Sequence, residues 1–178
     1  IVVYIQASPQ RKQAFKKLSN GYNLKRDNKT RWNSWFAMLD WACRDDIKAA
    51  LHEYIATFLL HRDSANNELV KDWLHAEDWL VLTEIRDFLE PFNNVTAATE
   101  GSSSSIERIL PTMDFLLSHY ESSMERYRDH QYIQPMIKKG WEKLDKYYLK
   151  TDQSPVYIAA VVLNPTWKWS YFVQHWEG

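Results

Sequence analysis

Glycine is scarce in this chain, 4 residues of 178, and proline adds only 6. Four scattered glycines cannot build a phosphate-cradling loop, so the common nucleotide-binding motifs are excluded. The lone cysteine, Cys43, excludes a disulfide within the chain and leaves a Cys-based zinc site without ligands. It suits a reducing compartment. No apolar run approaches the roughly 20 residues of a membrane-spanning helix, so no membrane partner is expected. The opening Ile1 to Ile5 is too short for a signal peptide and is followed by charge. The chain does not start with Met, so an excised or incomplete piece is expected.

The usual chemical constellations are also missing. None of His52, His61, His75, His119, His130 and His175 has a second His or Cys at metal-site spacing. Asp45 and Asp46, and Glu77 and Asp78, are adjacent, so each pair diverges on a helix and fits a helix start better than catalysis. Nothing marks the converging carboxylates of a two-metal nuclease or the context of a nucleophilic serine.

Hydrophobic residues make up 45% of the chain, with 9 Trp and 10 Tyr among them. That suffices for one domain with a real core, and the shortage of breakers favours helix. Ser8-Pro9 reads as a cap and first helical position, and Asn20-Gly21 as the end of that helix. Tyr22 to Thr30 is broken and polar, with room for a short strand or a linker. Trp32, Trp35, Phe36, Leu39 and Cys43 then make a helical stripe. Asp45-Asp46 opens the next helix, whose stripe runs from Ile47 to Leu59. His61 to Asn67 reads as a loop, Glu68 to Leu74 as a short helix, and Trp79 to Val95 as a longer helix that Pro91 could kink. Gly101 and the serines 102–105 make a loop. Further helices are expected over Ile106–His130, Ile133–Leu149 and Val156–Leu163, followed by an aromatic stretch to Trp176. The fold class is therefore all-α or nearly so: an irregular array of about seven or eight helices, with at most one short strand near 24–30.

Charge is unevenly spread. Residues 1–31 hold Arg11, Lys12, Lys16, Lys17, Lys25, Arg26, Lys29 and Arg31 against the single acid Asp27. Residues 32–178 hold 14 basic and 22 acidic side chains. A basic arm on an acidic body fits nucleic-acid binding, or docking of the arm on an acidic protein surface. At the end of the arm stands Lys29-Thr30-Arg31-Trp32. There an arginine fork for phosphate adjoins a flat ring on which an unpaired base could stack. Trp32 could equally be a core residue at a helix start.

The landmarks, read in order, resemble one family. They are Ser8-Pro9-Gln10-Arg11; Thr30-Arg31-Trp32-Asn33-Ser34 with Met38-Leu39; Ile85 to Phe92; Thr96 to Gly101; Lys143 to Tyr148; Ser154 to Pro165; and Lys168-Trp169. The sequence resembles the central region of fungal-type hAT-superfamily DNA transposases along nearly its whole length, truncated at both ends. The resemblance implies a ribonuclease-H-like core interrupted by a helical insertion. The family cuts and rejoins DNA with three metal-binding carboxylates. By the resemblance, two catalytic aspartates lie upstream of residue 1 and the catalytic glutamate lies downstream. No catalytic or metal-binding residue is therefore expected here, and the chain is not expected to be an enzyme on its own. The intact parent would use Mg or Mn; this chain would hold no cofactor.

On that reading residues 1–178 form a single-domain fragment. Residues 1–31 are a basic segment at the edge of the core, and 32–178 are the helical insertion. The family's Thr-Arg-Trp motif maps onto Thr30-Arg31-Trp32 and implies that Trp32 handles flipped or hairpin DNA. The expected DNA-binding residues are Arg31, Trp32, Lys29, Arg11 and Lys12. The expected partners are DNA and the rest of the transposase or another subunit, in the nucleus; an oligomer is compatible with this reading. The alternative is a domesticated or degenerate helical module that binds other proteins through its aromatic residues.

Overall fold

The computed structural model describes residues 1–27, 32–60, 73–100, 105–151 and 153–176. Among these residues there are nine α-helices, one 3-10 turn and no strand. The all-helical expectation therefore holds, with slightly more helices than expected. Leu24 to Asp27, at the start of the expected strand, have no regular structure, and residues 28–30 lie outside the described residues. So does the expected helix Glu68–Leu74, except for Trp73 and Leu74, which are not helical. Most of the serine loop also lies outside them.

The chain divides into two compact units, Ile1–Glu90 and Pro91–Gly178. The first begins with a short helix, α1 (Val2–Gln6), formed by the opening apolar run; Ile5 is buried. Helix α2 (Pro9–Leu18) starts where Ser8 is extended and Pro9 takes the first turn. It stops because Asn20 and Gly21 turn left-handed, at φ 53° and 88°, conformations in which a β-carbon is penalised. The Gly21 N–H then reaches back to the Lys16 carbonyl at 2.8 Å.

Helices α3 (Trp32–Ala42) and α4 (Asp45–Leu60) follow. Asp46 opens α4 by accepting the Ile47 N–H at 3.0 Å, and both acids of its first turn face the positive end of the helix dipole. Helix α5 (Ala76–Thr99) opens in the same way, with the His75 N–H donating to Asp78 at 2.8 Å. It runs on through Pro91, the position of the expected kink. The core of this unit gathers Ile5, Phe15, Leu24, Ile47, Leu51, Ile55 and Trp79. Each such side chain stabilises the fold by about 1.5–3 kcal/mol on burial.

In the second unit a 3-10 turn (Ile106–Arg108) leads into α6 (Ile109–Arg126), shorter than the helix expected to reach His130. After a turn, α7 (Ile133–Thr151) comes back antiparallel, so that Tyr120 meets Gly140 and Asp114 meets Tyr148. His130 starts α7: its Nδ1 accepts the N–H groups of Ile133 at 3.1 Å and Tyr132 at 3.3 Å. Helices α8 (Val156–Leu163) and α9 (Ser170–His175) close the unit on a core of Leu110, Val161, Tyr171 and Phe172.

Candidate nucleic-acid interface

Of the residues expected to contact DNA, Lys29 and Arg31 lie outside the described residues. Trp32 is the first residue of α3 and is 41% exposed. Its ring meets Phe36 edge to face, with centroids 6.3 Å apart. Phe36 is buried and so fixes the indole from below while the ring stays in contact with water. The helical stripe that begins at Trp32 is thus only partly a core face. Phe36, Leu39 and Cys43 are buried, but Trp32 and Trp35 are not. Periodicity correctly marks the face of the helix but not how far along it the core extends.

Arg11 and Lys12 sit on α2 and behave differently. Arg11 is half-buried against Tyr4. Its guanidinium lies 3.7 Å from the ring centroid and donates to the Tyr4 carbonyl at 3.2 Å. Much of its hydrogen-bonding capacity is therefore used inside the unit. Lys12 is exposed and rims a groove of 660 Å³ together with Lys16, Gln13 and Asn23. Lys12 and Lys16 are four residues apart and share one helix flank, a spacing suited to successive phosphates. Trp32 stands at the start of α3 and does not line that groove, so the expected residues form two patches.

The opposite side of α3 carries a cluster that the sequence does not single out. Trp41 donates its indole N–H to the Asn23 carbonyl at 3.0 Å and meets Tyr22 edge to face at 5.5 Å. The Arg44 guanidinium lies 4.3 Å from the Trp41 centroid and 5.1 Å from that of Tyr22, and the Lys25 ammonium lies 4.8 Å from Trp41. Ser34 ties the same segment down by donating to Asp27 at 2.6 Å. Arg44 also forks onto Asp46 at 3.1 and 2.7 Å. That hydrogen-bonded pairing holds the Asp46 carboxyl below the usual carboxylate range. Arg44's charge is therefore largely met at home, whereas Lys25 remains exposed for a phosphate. The Trp41 ring already carries these cations, so Trp32 is the more open stacking surface. Tyr22 with Lys25, and Trp41 with Arg44, are each three residues apart, a signal too common to stand out without the fold.

The resemblance implies a divalent metal for the intact parent. Among the described residues no three His, Cys, Asp or Glu side chains gather to hold an ion. Asp114 accepts from two phenols and an indole. Nor is any described helix long and apolar enough to cross a membrane.

Comparison with known proteins bears on this geometry. Residues 1–88 match the family described as the ZBED1 RNase-like helical domain, a stretch that nearly coincides with the first compact unit. Over 99% of its length the chain is 25% identical to a Talaromyces stipitatus protein named "Putative transcriptional regulator tpeD", and it spans 18% of that protein's length. No solved structure matches the chain. The first half is thus similar to an RNase-like helical domain, and the unit so matched is the one that carries Trp32, Lys12 and the Trp41 cluster.

Proposed function

We propose that this chain is the helical region of a hAT-type DNA transposase and that it contacts DNA beside a catalytic core. The carrying observation is Trp32: an exposed indole, braced by buried Phe36, that follows directly on the basic segment. A ring so held can stack on an unpaired base, worth roughly 1–3 kcal/mol. Lysines 12, 16 and 25 would neutralise backbone phosphates and make binding weaken with salt. The likeness of residues 1–88 to an RNase-like helical domain supports the transposase origin. On this reading the catalytic carboxylates and their Mg or Mn belong to other parts of the parent protein. This chain scaffolds them and does no chemistry by itself. Its place of work is the nucleus, and its partners are DNA and the remainder of the transposase.

A second reading is favoured by the name of the Talaromyces relative. A transposase-derived chain could have been retained as a regulator that works through protein contacts. Fluorescence anisotropy with a DNA hairpin carrying unpaired loop bases separates the two. The first reading expects salt-dependent binding that Trp32→Ala and Arg31→Ala each weaken about tenfold. If neither substitution changes the binding, the motif has no DNA role and the regulator reading gains.

A further inference from the structure

A second groove, 880 Å³ in volume, lies wholly within the second unit and is unlike the first in charge. One wall is α6, which presents Asp114, Phe115, Ser118 and Glu121. The other is α9 and the residue after it, with Tyr171, His175 and Trp176. Among the described residues, no lysine or arginine lines the groove.

Asp114 is held in place on both oxygens. Its Oδ1 accepts from the Tyr148 hydroxyl at 2.9 Å. Its Oδ2 accepts from the Tyr171 hydroxyl at 2.5 Å and from the Trp176 indole N–H at 3.0 Å. All three donors are neutral, so they orient the carboxylate without cancelling its charge. Burial, together with Asp114 itself, pushes the Tyr171 phenol well above its usual range, which keeps it a donor. A carboxylate has about four acceptor sites, so one direction stays available. Glu121 stands seven residues further along the same helix and is exposed. Seven residues is about 10 Å of helix.

Aromatic surface surrounds these acids. Phe115 is 53% exposed and Trp176 42%. The His175 ring stacks on Tyr171 with centroids 4.4 Å apart. Acidic groups set among exposed ring faces are what a lysine or arginine side chain needs: an anion for its head and a face for its stem. Two such side chains three residues apart on a peptide extended as a polyproline-II helix share one face and are about 9 Å apart.

We propose that this groove binds an extended basic peptide, with Asp114 and Glu121 each receiving a lysine or arginine and Phe115 and Trp176 covering the stems. The occupant is a protein segment of positive charge, distinct from the polyanion expected at the first unit.

The test uses the full chain and a fluorescein-labelled Gly-Ser-Arg-Gly-Ser-Arg-Gly-Ser peptide, with a counterpart carrying Gln for both Arg. The Arg peptide should bind and the Gln peptide should not. Asp114→Asn and Glu121→Gln should each weaken binding about tenfold. Glu142→Gln, on α7 and outside the groove, makes the same change in net charge and should leave binding unaltered. Circular dichroism checks that Asp114→Asn stays folded; if it unfolds, exposed Glu121→Gln decides alone. Equal binding of the two peptides, no binding of either, or an equal loss in Glu142→Gln and Glu121→Gln would overturn the proposal.

Discussion

Gly140 lies directly against the Tyr120 phenol. A β-carbon placed on it would stand 2.4 Å from the phenol oxygen and 3.0 Å from the nearest ring carbons. Tyr120 is buried and edge-on to both Phe92, at 5.2 Å, and Trp141, at 6.0 Å, so its ring cannot swing aside. Alanine in a helix interior normally gains about 1 kcal/mol over glycine. Here overpacking of about 1–3 kcal/mol outweighs that gain. Gly140→Ala should therefore lower stability in urea unfolding. Tyr120→Phe, which removes the nearest atom, should recover part of the loss in the double variant.

Trp32 and Trp79 should respond oppositely to truncation. Trp79 is 3% exposed and belongs to the first unit's core, so Trp79→Ala should cost about 3–5 kcal/mol of stability. Trp32→Ala removes a ring already in water and should change stability by less than about 1 kcal/mol. A large loss of stability in Trp32→Ala would show that its ring is a packing element.

The groove lysines should show themselves through salt. On single-stranded DNA, each lysine that neutralises a phosphate steepens the fall of log affinity with log salt by about 0.7. Lys12→Ala and Lys16→Ala should each make the slope shallower by that amount. Arg11→Ala should instead lower the melting temperature, because it strips the guanidinium from Tyr4.

Cys43 should be a poor nucleophile. It is a free, buried thiol whose pKa is raised mainly by burial, against a lowering influence from Arg86 and Thr83. The folded chain thus holds the thiol proton more tightly than the unfolded chain does. The associated stability is present at neutral pH and declines as pH rises through the free thiol range near about 8.5. At pH 8 a disulfide reagent should label the native protein slowly and the urea-unfolded protein quickly.

What could be read from the sequence was local. The ends of α2 follow from Ser8-Pro9 and Asn20-Gly21, because capping and left-handed turns depend on neighbours only. Asp45-Asp46 marks α4 for the same reason. The limits of burial along α3 were not legible, since a stripe shows which way a face points and not what lies opposite it. The ring of donors around Asp114 was out of reach. Its members come from positions 148, 171 and 176, and only the packing of α6, α7 and α9 brings them to one carboxylate. At the candidate DNA site the exposed ring of Trp32 could be singled out by motif, whereas Trp41 with Lys25 and Arg44 needed the path of the segment before α3.

Of the nine tryptophans, Trp79 alone is buried. Trp32, Trp35, Trp169 and Trp176 are exposed and should emit at long, water-like wavelengths open to iodide, whereas the half-buried Trp41, Trp73, Trp141 and Trp167 should be partly shielded. Trp79 should contribute a small, blue, shielded component, with His52 close beside it at 5.7 Å. A nucleic-acid titration read by tryptophan quenching would begin with four of the nine indoles already exposed, Trp32 among them.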